Sequence, residues 1–230
     1  MTEEQKKGGE LVKLLKEIYP EPYCALEHGG DPWRLLVMAR LSAQCTDARV
    51  NEVSVGLFEK YPTAADMASA DRGDVEKLIF SCGLYRMKAA DVIGASHMIC
   101  EKFGGEVPCD MDGLLSLPGV GRKIANLILG DVFGVPGIVA DTHCIRICGR
   151  LGFYPEGKRD PSLTERVMSG VIDPPEQSDL CHRLVQFGRD VCHARAPECG
   201  SCPLRPICHH YENTEKNEKR NERNTSAQIR

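Results

Sequence analysis

The chain has 230 residues, a 42% hydrophobic fraction and a formal net charge of −4. That length gives room for one or two domains with a sizeable core. No apolar run approaches the roughly 18 residues that cross a membrane, and the start Met1-Thr2-Glu3-Glu4-Gln5-Lys6-Lys7 lacks the apolar stretch of a secretory signal, so the expectation is a protein kept inside the cell. The acidic balance gives no general attraction for nucleic acid and leaves a local basic face as the route to such a partner.

Residues 1 to 8 are charged and expected to fray, and a helix over Gly9 to Tyr19 follows from Leu11, Leu14, Leu15 and Ile18 at helical spacing. Asp31-Pro32 caps and launches a helix with Trp33, Leu36, Val37 and Leu41 on one face. Leu41-Ser42-Ala43-Gln44-Cys45-Thr46-Asp47 follows, with Thr46 or Asp47 capping a helix through Val50, Val53, Leu57, Phe58 and Tyr61 that Pro62 stops. Gln44 thus lies at a helix junction. Thr63 with Asp66, and Asp71 with Asp74, mark two more capped starts.

Ser81-Cys82-Gly83-Leu84-Tyr85 reads as a helix ending at Gly83 with Leu84 in a loop. From Arg86 a helix carries Met87, Ala90, Ile93 and His97 as far as Gly104-Gly105. Asp110 caps a short helix that leads into Leu117-Pro118-Gly119-Val120-Gly121. Pro118 has no amide hydrogen and the two glycines suit positive φ, so this is a turn, with helix resuming from Arg122 to Phe133. Being apolar on most sides, that helix is expected to be central.

The turn should leave the N–H groups around Val120 to Lys123 unpaired at the positive end of a helix, a seat for a phosphate. Lys123 stands in the first turn, where the dipole disfavours a cation and so favours a free amine nucleophile. After the breaks at Gly134 and Val135-Pro136-Gly137, Asp141 reads as the N-cap of the next helix, a position that favours an ionised carboxylate. An amine and a carboxylate biased in these directions make an acid–base pair if the fold unites them. Helices through Cys144, Ile145, Ile147, Cys148 and Leu151, from Asp160-Pro161 through Met168, and through Leu180, Leu184 and Phe187 complete the pattern. No segment alternates with period two, so the fold class is all-α, with ten or so short helices.

The chain holds 12 cysteines. In a short secreted protein they would form a disulfide framework; here length and the missing signal favour reduced thiols and a metal site. Eight (Cys24, Cys45, Cys82, Cys100, Cys109, Cys144, Cys148, Cys181) fall mostly in apolar helical patterns and read as small core residues. Cys192, Cys199, Cys202 and Cys208 form C-x6-C-x2-C-x5-C. Four thiolates suit tetrahedral zinc or an iron–sulfur cube, and a single C-x2-C pair favours [4Fe–4S].

The LPGVGRK turn, VADTH with Asp141 eighteen positions after Lys123, LSAQCTD, GLYRMKA and the four-cysteine spacing together resemble the endonuclease III branch of the helix-hairpin-helix DNA glycosylases. The likeness runs from about Leu11 to Cys208. It implies a two-domain fold: a six-helix domain over about 25–135 holding the hairpin, and an iron–sulfur cluster domain of 1–24 with 136–212. Residues 213–230 lie outside it and read as a disordered tail.

The same likeness implies a bifunctional glycosylase and abasic-site lyase acting on oxidised pyrimidines in duplex DNA, bound across the cleft between the domains with the damaged base flipped out. Lys123 would be the nucleophile and Asp141 its carboxylate partner, and a Schiff base would permit strand cleavage by β-elimination. Gln44 and Leu84 would fill the gap left by the flipped base. Gly119 and Gly121 would hold a phosphate with a monovalent cation, and Thr142, His143, Arg146 and Arg195 would face the DNA. The four cysteines would hold the cluster, in a monomer working in the cytoplasm at the nucleoid. Ala140 replaces the family's usual valine, Arg86 its common asparagine, and the Cys192–Cys199 loop carries only His193 and Arg195 as bases. A non-catalytic Fe–S DNA-binding or redox protein on the same fold is the competing reading, and predicts that Lys123 and Asp141 are dispensable.

Overall fold

The computed structural model describes residues 1–214 and is all-α, with eleven α-helices as far as Asp190, a further short helix at 209–214 and no strand among the described residues. The chain divides into two compact units, one built from Cys24–Val139 and the other from Met1–Tyr23 with the chain from Ala140 onward. No described helix is long and apolar enough to cross a membrane.

In the Cys24–Val139 unit the caps read from the sequence are made. Asp31 accepts from Trp33 and Arg34 N–H at the head of α2 (Pro32–Leu41), and Thr46 from Arg49 N–H at the head of α3 (Asp47–Lys60). Thr63 and Asp66 form a reciprocal capping box on α4 (Ala64–Ala68), Asp71 caps α5 (Arg72–Leu78) and Asp110 caps α7 (Met111–Ser116). α6 (Tyr85–Lys102) packs against α2, α4 and α5, and α8 (Arg122–Asp131) against α2 and α7. The central helix is α2 rather than α8: Trp33 and every residue from Leu35 to Leu41 are buried, while α8 buries only Ala125, Asn126, Ile128 and Leu129. The Gly121, Arg122 and Lys123 end of α8 is exposed, so its first amides lie at the surface.

The second unit packs α1 (Glu3–Ile18), α9 (Thr142–Leu151), α10 (Pro161–Val171) and α11 (Gln177–Asp190), with α9 on α10 and α11 and α1 on α10 and α11. α1 begins at Glu3, six residues before the expected Gly9 (9 − 3). Thr2 and Gln5 form a capping box, Lys7 donates to the Leu151 carbonyl, and Gly8 sits so close to the Val171 carbonyl that a Cβ would come within 2.5 Å of it. Docking against α10 holds the segment that composition alone marks as frayed. Of the segment expected to be a disordered tail, Asn213 and Thr214 belong to a short helix at 209–214, and 215–230 lie outside the described residues.

Candidate active site

The hairpin is a tight turn between α7 and α8. Val120 N–H donates to the Leu117 carbonyl at 3.2 Å, with Pro118 second and Gly119 third at φ 74°, the signature of a type II turn. The Val120 amide is therefore used within the turn rather than offered outward. Gly121 is the other departure: it is the extended N-cap of α8 (φ −104°, ψ 176°) and needs no positive φ. With no side chain to cap it, the α8 N-terminus offers its amides and its partial positive charge to an anion. Lys123 follows, exposed, in that first turn.

What fixes the hairpin lies beneath it. Arg40 Nε and Nη2 meet Asp91 Oδ2 at 2.7 and 2.6 Å, and a Cβ on Gly119 would come within 2.7 Å of both Arg40 Nε and Asp91 Cβ. Behind α8, Asn126 Nδ2 donates at 3.0 Å to the Ile138 carbonyl. Neither Arg40 nor Asp91 was singled out from the sequence, where each is one charge on a helix of mixed composition.

Gln44 and Leu84 are both exposed and both left-handed, at φ 55° and 48°. Leu84 does not fold back onto the core: it stands 49% exposed between Phe80 and Met87, also exposed, and forms the N-cap of α6. Arg86 lies over the Tyr85 ring at 5.6 Å, so the residue that departs from the family pattern stacks at the edge of this apolar point. Lys88, absent from the sequence reading, is fully buried, its Nζ donating at 2.7 Å to the carbonyls of Leu41 and Cys82. Its signal was available: Lys88 shares a helical face with Val92, Ala95 and Ile99, an apolar stripe where a lysine has no place without acceptors.

Asp141 is the N-cap of α9, its Oδ1 accepting from Cys144 N–H at 2.7 Å, and Thr142 beside it is exposed. Arg146 points into its own unit. Its guanidinium donates to the carbonyls of Gly188 (3.1 Å) and Cys192 (3.2 and 2.9 Å), and Nη2 lies 3.1 Å from His143 Nδ1. A phosphate would be left with Nη1 alone. Arg195 is exposed in the Cys192–Cys199 loop, next to Ala196 at φ 50°.

Cys192, Cys199, Cys202 and Cys208 stand close enough to perturb one another. Burial first, and then the neighbouring thiols, push Cys202 up to about 11; burial and the same neighbours raise Cys199 and Cys208. Arg150, a further residue that sequence reasoning missed, donates from Nη1 to Cys192 Sγ (3.2 Å) and the His193 carbonyl (2.7 Å) and from Nη2 to the Ala194 carbonyl (3.1 Å). Four thiols that repel as free thiolates, with a guanidinium on one sulfur, are a donor set suited to a positively charged metal centre.

Residues 37–174 match the model of the HhH-GPD superfamily of base excision DNA repair proteins. Endonuclease III of Synechocystis sp. is 42% identical over 209 residues, covering 90% of this chain and 94% of that protein, and endonuclease III of Bacillus subtilis is 42% identical over 192 residues, covering 84% and 87%. The chain belongs to the endonuclease III family. A solved structure described as a trapped endonuclease III–DNA covalent intermediate, an estranged-adenine complex, superposes with TM-score 0.86 at 40% identity, covering 94% of this chain and all of that one. Membership in the endonuclease III family makes the protein a base excision repair enzyme, a DNA glycosylase with abasic-site lyase activity, whose partner is DNA.

Proposed function

We propose that this endonuclease III family enzyme removes oxidised pyrimidines from duplex DNA with Lys123 as nucleophile and then cuts the strand at the abasic site. The carrying observation is the position of Lys123, exposed in the first turn of α8, whose N-terminus has no side-chain cap and so has amides to offer an anion. A phosphate held at Gly119 and Gly121, with a monovalent cation on the hairpin carbonyls, would bring the adjoining sugar to that amine.

The Lys123 amine attacks C1′, and the C1′–N bond to the base breaks, the base leaving with the bonding pair and taking its proton from water. Asp141 accepts the proton lost by the attacking nitrogen and steadies the cationic sugar. Ring opening, with protonation of O4′, gives the C1′=N⁺ Schiff base. Loss of a C2′ proton then expels the 3′ phosphate by β-elimination, and water releases Lys123. The trapped covalent intermediate of the related structure supports this route.

Flipping the base costs a few kcal/mol and leaves a gap, which Gln44 and Leu84 fill, their exposed left-handed positions suiting them to it. Thr142, His143 and Arg195, with the outer edge of Arg146, are the remaining DNA contacts. We assign the Cys24–Val139 unit as the hairpin domain and the other as the cluster domain, Cys192, Cys199, Cys202 and Cys208 holding a [4Fe–4S] cluster. When bound, the cluster supplies four iron–sulfur bonds that lock the basic loop; the chain's own part is Arg150 and Arg146, which hold that loop by its carbonyls. The working protein is a monomer in the cytoplasm, at the nucleoid.

Borohydride reduction in the presence of abasic or thymine-glycol duplex tests the assignment. A covalent protein–DNA adduct is expected with the wild type and none with Lys123→Gln. An adduct that persists in Lys123→Gln overturns it. Asp141→Asn should retain DNA binding and lose most turnover, and unchanged turnover would remove Asp141 from the mechanism.

A further inference from the structure

Lysine is among the residues least often buried without a partner, yet Lys88 has no exposed surface. Its Nζ donates at 2.7 Å to the Leu41 carbonyl and at 2.7 Å to the Cys82 carbonyl. Leu41 is the last residue of α2, and Cys82 the last of the short 3-10 turn Phe80–Cys82. Carbonyls at helix ends lack donor partners within the helix and carry its partial negative charge. One ammonium therefore caps two chain ends at once.

Both ends run directly into the proposed gap-filling residues. Gln44 lies three positions after Leu41 and Leu84 two after Cys82. In the Cys24–Val139 unit these are the positive-φ residues that are not glycine. An L-residue holds a left-handed backbone only where its surroundings over-determine it, and both stretches hang from the same nitrogen. Lys88 itself is fixed in the first turn of α6, four residues after Leu84, whose carbonyl accepts the Lys88 backbone N–H at 3.1 Å.

We infer that Lys88 is a positioning residue that joins the Gln44 and Leu84 loops into one rigid element, so that the two side chains enter the duplex together when the base leaves. The inference rests on the gap-filling role proposed above. A core lysine that merely stabilised the fold would affect every activity alike. A lysine that sets these two loops matters most where a stacked base must be extruded, and much less at an abasic site, where none has to be.

The test uses the full chain in single-turnover reactions on two duplexes, one carrying thymine glycol and one a preformed abasic site. Lys88→Met, which keeps the stem and removes the donors, is expected to slow base excision about 50-fold while borohydride trapping on abasic DNA changes by less than about 5-fold; Lys88→Arg should restore base excision to within about 5-fold of wild type. Equal losses on both duplexes, or no loss on either, overturn the inference. Lys88→Gln, too short to reach both carbonyls at once, replaces the methionine variant if that does not fold, and the same contrast between the two duplexes is then expected, with equal losses overturning the inference. Independently, Gln44→Ala and Leu84→Ala should be non-additive in the double variant if the loops act as one, and strict additivity overturns the coupling whatever Lys88 variants do. If Gln44→Ala and Leu84→Ala both leave base excision intact, the gap-filling reading itself fails; if they slow it and Lys88→Met does not, only the role of Lys88 is lost.

Discussion

The carboxylate of Asp91 receives Arg40 through two guanidinium nitrogens at 2.7 and 2.6 Å, and the pair lies directly against the Cα of Gly119. The hairpin turn thus rests on an ion pair whose Arg40 side chain is only 10% exposed, reaching from α2 to α6. At Gly119 an alanine would meet two obstacles: a left-handed φ of 74°, which costs an L-residue roughly 1–2 kcal/mol, and contacts at 2.7 Å with the inner parts of both side chains rather than their mobile ends. Gly119→Ala is expected to lower unfolding stability by about 2–4 kcal/mol and to weaken binding to undamaged duplex. Urea melts and a gel-shift titration check it, and wild-type values in both would mean that the turn does not need this close approach.

The sole tryptophan offers a second test. Trp33 Nε1 donates to Ser96 Oγ at 3.0 Å, both residues being buried between α2 and α6. Ser96→Ala leaves the indole N–H without that acceptor at an expected cost of about 1–2 kcal/mol. Ser96→Cys, with a weaker acceptor, should fall between. The intrinsic fluorescence of Trp33 reports the melt directly, and an unshifted midpoint would show that water or another acceptor replaces the hydroxyl at no cost.

Stability should also fall in alkali. Burial first, then the Cys45 thiol, pushes Cys82 up to about 11, and burial with the Asp131 carboxylate pushes Cys24 up to about 12. Each folded value lies above the ordinary thiol value of 9.0, so at high pH the unfolded chain loses the proton first and binds fewer protons than the native one. The stabilisation is then complete below about pH 9 and is lost as pH rises toward 11 and 12, at no more than about 1.4 kcal/mol per pH unit for each thiol. Cys82→Ala should flatten the first part of that decline in urea melts taken from pH 8 to 11. A slope identical to wild type would remove Cys82 as its source.

The local signals in the sequence were strong where one side chain decides one helix end. Asp31, Thr46, Thr63, Asp71, Asp110, Asp141 and Asp160 each cap the helix that begins beside them, because capping acts over three residues and needs no tertiary contact. What it could not convey was which charges turn inward. In sequence Arg146 and Arg150 look like surface bases on α9, yet their acceptors are carbonyls more than forty residues away. The α1 segment before Gly9 was misread for the same reason: its order comes from the Val171 carbonyl against Gly8, a contact at long range. The hairpin lay between these cases. Its turn was legible from Pro118 and Gly119, but only coordinates separate the left-handed Gly119 from the extended Gly121.

Gly188, on α11, provides the sharpest test of the loop that carries the four cysteines. Its carbonyl accepts from Arg146 Nη2 at 3.1 Å, and a Cβ there would come within 2.3 Å of His143 Nδ1 and 2.8 Å of Arg146 Nη2. The helical backbone of Gly188 itself tolerates alanine, so the cost falls on the two side chains, which must withdraw. Arg146 would then leave the Cys192 carbonyl as well, freeing the start of the cysteine loop. If the four cysteines hold the proposed cluster, Gly188→Ala should therefore keep its helix content while losing much of the broad absorbance near 400 nm, roughly as for thiolate-bound iron–sulfur, and should lose DNA binding with it if Arg195, on the same loop, is the DNA contact proposed above. Arg146→Lys, which keeps a charge but cannot span both carbonyls, should show the same loss to a smaller degree. Full absorbance in both variants would mean that the four thiolates shape the loop without help from α9 and α11.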